Sequence, residues 1–327
     1  MSKTILTLSI FILFLAPCFP TQAQQTAKVA RIAVLSATTP SNLAARIAAL
    51  RQGLRELGYV EGKNIIIEYR FAHGNLERQF AQARELVTLK VDVIVTGGPV
   101  GTRAAKNATG TIPIIMAQES DPVGSGFVAS LSHPGGNITG LSTLSPEVSG
   151  KQLELLKEIV SNLSRVAVIG NTAEPGNAQK LRETQLAGGA FGIDVQYLEL
   201  QARKDIETIF TSIKDQQAGS LILLRNPIAG VNRKRIIDLM VGNRLPGIHA
   251  SPNWIKAGGL MYYGANIADI WRRAATYVDK ILKGRKPADL PVEQPTTFEF
   301  IANLKAAKQI GLTIPPNVLA RANRVIR

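Results

Sequence analysis

The sequence predicts an α/β protein of two lobes, each a parallel sheet flanked by helices, with a ligand cleft between them. Three observations predict it. Short apolar runs alternate with amphipathic stretches, which implies right-handed βαβ units. The alternation restarts midway, because Arg31–Ser36 and Arg165–Gly170 both open on Arg-(Ile/Val)-Ala-Val. A chain of 327 residues also exceeds one typical core.

In chain order, Arg31–Ser36 is a buried strand, and Leu43, Ile47, Leu50, Leu54 and Leu57 then mark one face of a helix that stops at Gly58. Asn64–Arg70 is β-rich, Phe80, Leu86 and Val87 mark a second helix, and Val91–Thr96 is a strand ending in Gly97-Gly98. A helix crosses Arg103–Ala105, and Pro113–Ala117 is a fourth strand. An Asp-Pro loop, a short helix, the turn His133–Asn137 and the extended Ile138–Leu141 follow, the last carrying the chain toward the second lobe. That lobe repeats the scheme with strands at Arg165–Gly170, Ile193–Leu198, Ser220–Leu224 and Pro246–His249. A third section holds Leu260–Tyr263, a helix over Ile270, Ala274, Val278 and Ile281, a Pro-rich connection, Phe298–Ile301 and a helix at Leu304–Ile310.

Met1–Lys3 and the apolar run Ile5–Phe19 read as a secretory signal, residues 1–23, cleaved after Ala23. The run is shorter than the roughly 20 apolar residues of a spanning helix. The chain's one cysteine, Cys18, lies in this segment. Pro17 stands where a lipidation box wants a small residue, so no lipid anchor is expected. Thiol nucleophiles and thiolate metal sites are thereby excluded from the mature chain. The net charge is +14, but the basic residues are scattered and not interleaved with aromatics, so no nucleic acid is expected. His73, His133 and His249 lie far apart, and neither a nucleophile elbow nor a phosphate loop is present. No metal, cofactor or catalysis is expected.

What remains is a set of strand ends with small polar residues, where open α/β sheets bind ligands. Ser36, Thr38, Gly97, Gly98, Gln118, Ser120 and Asp121 close the first half, and Asn171, Glu174 and Asn226 the second. Glycines admit backbone N–H groups to a ligand, Asp121 suits an amine, and Asn171 and Asn226 can donate to a carboxylate. The same residue types are ordinary helix caps. Tyr262 and Tyr263 point to opposite faces of a strand, so one of them at most faces the cleft, and Tyr263 is the candidate.

The segments GLRELGYVEGKNIIIEYRFAHG, LVTLKVDVIVTGG, PIIMAQESDPVGSGFVASLSHPGGNITGLS, SGKQLELLKEIV and AGGLMYYGANIADIWRRAATYVDKILKGRKPADLPVEQPTTFEFIANLKAAKQIGLTIPP closely resemble substrate-binding proteins of a bacterial ABC-transporter family. That family includes tryptophan/tyrosine-type binding proteins. The resemblance spans nearly the whole mature chain. It implies a periplasmic-binding fold of the first type, with three crossing segments between the lobes. Residues 28–141 plus 263–290 would form the first lobe, and 142–262 plus 291–327 the second. It also implies a soluble periplasmic protein, monomeric when mature, that captures a small solute such as an amino acid for an ABC permease and its ATPase. A ligand sensor for a membrane receptor and an exported enzyme are the alternatives. The chain departs from the family at Gly170–Pro175, where relatives often read Trp-Asn-Pro, and there Glu174 would favour a ligand with a positive group.

Overall fold

Alternating apolar runs and amphipathic stretches fold into two three-layer lobes. The computed structural model describes residues 29–143, 146–249 and 251–327; the segment expected to be a signal and Cys18 lie outside the described residues. The first lobe is built from β1 (Ala30–Ser36), α1 (Pro40–Glu56), β2 (Ile65–Phe71), α2 (Leu76–Thr88), β3 (Val93–Thr96), α3 (Pro99–Ala108), β4 (Ile114–Glu119) and β5 (Ile138–Ser142). Its sheet is ordered β2-β1-β3-β4-β5, with every pairing parallel. The central strands β1 and β3 are nearly continuous apolar runs because both their faces are covered, whereas the edge strand β2 carries Glu68 and Arg70.

The chain then enters α4 (Pro146–Ile159), β6 (Arg165–Gly170), α5 (Asn177–Phe191), β7 (Asp194–Glu199), α6 (Asp205–Asp215), β8 (Ser220–Leu223), α7 (Pro227–Val231), α8 (Arg233–Gly242), β9 (Gly247–His249), α9 (Pro252–Lys256) and β10 (Met261–Ala265). It returns to the first lobe as α10 (Ile267–Leu282), and ends in the second as β11 (Phe298–Asn303), α11 (Leu304–Gln309), α12 (Pro316–Leu319) and β12 (Arg324–Ile326). The second sheet is ordered β12-β11-β10-β9-β8-β6-β7, and only the β10–β11 pairing is antiparallel.

Local chemistry sets the key helices. Thr39 caps α1 and Pro40 opens it, while Leu43, Ile47, Leu50 and Leu54 are its buried stripe. Asn266 caps α10 through Asp269 N–H, and Ile270, Trp271, Ala274, Tyr277 and Val278 face the same core. The two helices approach so closely that a Cβ on Gly53 would lie 2.2 Å from the Arg272 carbonyl oxygen. α10 is therefore an integral part of the first lobe, although 124 residues separate it from β5.

The structure revises four sequence expectations. Ile138–Leu141 lies within β5, the edge strand of the first sheet, so Pro113–Ala117 is not that lobe's last strand. It seats there because Gly140, at φ +135°, lets the backbone pass Met116, whose carbonyl oxygen would be 2.3 Å from any Cβ. The lobe boundaries fall later than 141, 262 and 290: Ser142 still pairs with β4, Tyr263–Ala265 pair with β11, and Val292 belongs to the first lobe's core. Residues after Asp121 form turns, not a helix, because Gly126 adopts φ +68°. Finally, β12, too short and polar to read from sequence, extends the second sheet.

Candidate functional site

The carboxyl ends of β1, β3 and β4 face those of β6 and β8 across the gap between the lobes. Three passages join the lobes among the described residues: after Ser142, at Asn266, and between Glu293 and Phe298. The last two are tied together by Asn266 N–H donating to the Thr297 carbonyl at 2.9 Å.

The strand ends of the first-lobe lip carry small neutral residues. Ser36 is buried at the end of β1, and its Oγ accepts from the Thr38 N–H at 3.4 Å. Gly97 leaves room for the Trp271 ring, which would stand 3.1 Å from a Cβ there. Trp271 Nε1 in turn donates to Gln118 Oε1 at 3.4 Å. Gly98, at φ +120°, opens α3 without a side-chain cap. Beneath this lip lies Glu119, fully buried, its Oε1 accepting from Ser120 N–H at 2.8 Å and its Oε2 from Thr102 Oγ1 at 3.2 Å. Burial pushes its carboxyl up to about 7, opposed by these hydrogen bonds and by the charge of Arg225.

The second-lobe lip is cationic. Asn177, buried at the start of α5, donates through Nδ2 to the carbonyls of Asn171 (2.9 Å) and Arg225 (2.7 Å), which fixes both loops relative to one helix. Arg225 lies two residues past the end of β8, and its Nη1 reaches across the gap to Ser120 Oγ at 3.1 Å. Gly176, at φ +80°, packs on the same residue: a Cβ there would be 3.0 Å from the Ser120 carbonyl oxygen. Lys180, one turn into α5, is brought down to about 8 by burial and by Arg225. Arg46, on α1, is lowered first by burial and then by Arg225, with an opposing influence from Tyr262.

The structure thus brings Ser36, Gly97, Gly98, Gln118 and Ser120 together on one lip, with Thr38 just beyond them. Other candidates spend their side chains on structure. Asp121 Oδ1 accepts from Gly124 N–H at 2.8 Å and caps the turn after Pro122. Asn226 caps α7 through Ala229 N–H (3.0 Å) and donates to the Leu200 carbonyl (2.8 Å). Asn171 Oδ1 accepts from Ala173 N–H at 2.8 Å. Tyr263 stacks on Phe298, ring centroids 6.0 Å apart, and packs with the second lobe's core beside α4. Glu174 is half-buried in the turn leading to α5. Sequence reasoning left Arg46, Thr102, Glu119, Asn177, Lys180, Arg225 and Trp271 out of the candidate set. Arg225 had a signal, a charged residue immediately after an apolar strand. Arg46 and Trp271 had none, since each sits on a helix whose place against the cleft depends on tertiary packing.

Among the described residues no group of three or more histidine, cysteine or acidic side chains could hold a metal ion. The arrangement can close two lips on a small molecule, with hydrogen-bonding groups and Arg46 on one side and Arg225 and Lys180 on the other.

Comparison with known proteins gives the same picture. A tyrosine-binding protein of Clostridioides difficile (strain R20291) is 28% identical over 267 residues, 80% of this chain and 75% of that protein. A conserved domain protein from Vibrio cholerae is 30% identical and superposes with a TM-score of 0.80, covering 91% of this chain and 100% of that one. An ABC domain in complex with L-Trp from Streptococcus pneumonia shares the fold at 24% identity and a TM-score of 0.80, covering 91% and 99% of the two chains. A ligand-free, open substrate-binding protein with adhesive properties from Clostridium difficile shares it at 24% and 0.77, with the same coverage. The ABC transporter substrate binding protein family model matches residues 31–326, so the chain belongs to that family.

Proposed function

We propose that the protein is the extracytoplasmic solute-capture component of an ABC importer, taking an amino acid or a closely related compound. The lobes close on the solute by hinge motion at the three passages, and the closed form presents it to a membrane permease and its ATPase. The protein acts by binding and not by catalysis. It works in the periplasm as a soluble monomer after loss of residues 1–23, without a lipid on Cys18.

The observation that carries this reading is the Arg225–Ser120 hydrogen bond, 3.1 Å, which joins the two lips directly above the buried strand ends. Family membership supports solute capture, and the name of the tyrosine-binding relative supports an aromatic amino acid. Ser36, Gly97, Gly98, Gln118 and Ser120 would contact the solute from the first lobe, and Arg225 and Lys180 from the second.

A thermal-shift series over the amino acids tests this. A true ligand stabilises by RT ln(1 + [L]/Kd), about 2.7 kcal/mol at a hundredfold excess over Kd. L-Tyrosine or L-tryptophan should raise Tm by several degrees. If no amino acid at millimolar concentration moves it, the reading fails.

A further inference from the structure

Three cations act on one another at this cleft: the charge of Arg225 weighs on both Arg46 and Lys180, and its Nη1 bridges the gap to Ser120 Oγ. Arg46 comes from α1 in the first lobe, Arg225 and Lys180 from the second, and among the described residues none of the three forms an ion pair. Of the neighbouring carboxylates only Glu119 feels the Arg225 charge, and neither it nor Asp121 forms an ion pair with the three. Glu119 is buried below the lip and held by Ser120 N–H and Thr102, and Asp121 is committed to Gly124 N–H. Glu174 lies in the turn before Gly176 and makes no side-chain hydrogen bond among the described residues. Elsewhere the chain does pair its guanidinium groups: Arg51, Arg165, Arg235, Arg272, Arg273 and Arg321 all meet carboxylates. Arg225 instead spends one N–H on a neutral hydroxyl of the opposite lobe. Burial and the opposing Arg225 charge both weigh against the Arg46 cation. Like charges drawn together in a partly desolvated gap repel, and an anion placed between them turns that repulsion into two attractions.

We propose that Arg46 and Arg225, from opposite lobes, form an anion clamp: the ligand carries a carboxylate that seats between them, and full closure requires it. The clamp rests on the reading of the cleft as the solute site, and it names the chemistry that site demands. A planar guanidinium on each lip can bond one carboxylate oxygen apiece or grip bidentately, so the anion becomes the pin of the closed state. Lys180 adds positive potential from behind Arg225.

Titration calorimetry with L-tyrosine, L-tryptophan and the carboxamides of both tests the clamp. The acids should bind at least about tenfold more tightly than the amides, a difference of about 1.4 kcal/mol. Arg225→Gln and Arg46→Gln should each weaken the acids by about tenfold and narrow the gap to the amides. Equal affinity for acid and amide overturns the clamp while leaving solute capture intact. If none of the four compounds binds, the aromatic amino acid reading falls instead, and the lobes themselves decide the clamp. By small-angle X-ray scattering, ligand-free Arg46→Gln should then be more compact than the ligand-free wild type, because the repulsion across the gap is gone. An unchanged radius of gyration overturns it.

Discussion

Glu119 and His249 end the fourth strand of their respective halves, β4 and β9, and both are almost completely buried. The two lobes treat these groups in opposite ways. Glu119 is wired to donors, Ser120 N–H and Thr102 Oγ1, and feels Arg225 across the gap. Among the described residues His249 has no hydrogen-bond partner at either ring nitrogen. It stacks on Trp254 at 5.2 Å, and Gly259 packs so tightly on its edge that a Cβ would come within 2.6 Å. The first lobe therefore keeps a carboxyl poised below its lip, whereas the second uses an imidazole as an apolar ring. The same place in a repeated architecture can hold a tunable polar group or a piece of core. The neighbours at the strand end decide which.

The largest effect separating the two is acid lability. Burial lowers His249 from 6.5 to about 3. A depressed histidine contributes stability that is present above 6.5 and lost as pH falls toward 3, because the unfolded chain takes up the proton first. At about pH 3.5 that loss amounts to about 4 kcal/mol, at 1.36 kcal/mol per unit. Denaturant unfolding of His249→Phe, which keeps a ring on Trp254, should show a shallower acid slope than the wild type. Identical slopes would mean that the imidazole is not buried in its neutral form.

Glu119 should act with the opposite sign. Its carboxyl, raised from 4.5 to about 7, holds a proton in the folded state that the unfolded chain releases. Its contribution is thus fully present below 4.5 and lost as pH rises through 7, about 3 kcal/mol in all. Glu119→Gln should be more stable than the wild type at pH 8 and lose that dependence. A variant less stable at pH 8 would show the ionised carboxylate to be the favoured buried form.

Smaller effects come from the caps beside these strand ends. Asn226→Ala removes the α7 cap and a bond to the Leu200 carbonyl in a buried setting, and should cost about 2 kcal/mol. Asp121→Ala removes one turn cap near the surface and should cost about 1 kcal/mol, with solute affinity unchanged by calorimetry. A tenfold drop in affinity without loss of Tm would return Asp121 to the binding set.

The sequence by itself determined the alternation of strands and helices, the restart at Arg165 and the strand ends that flank the cleft. These follow from local rules: apolar runs of strand length, helical spacing of leucines, and glycine or asparagine at the stops. Ser36, Gly97, Gly98, Gln118 and Ser120 were legible because they sit directly at such ends. Tertiary structure alone decided that Gly140 lets β5 join the first sheet, that α10 crosses back to pack on α1, and that Tyr263 turns to Phe298. It also decided the meeting of Arg46, Lys180, Arg225 and Trp271. Two of these residues stand on helices of the first lobe, one on a helix of the second and one in the loop after β8, and no periodicity records which faces two lobes will turn toward one another. The charge of the cleft is a property of that meeting, because each cation taken alone reads as one more solvated residue on a basic chain.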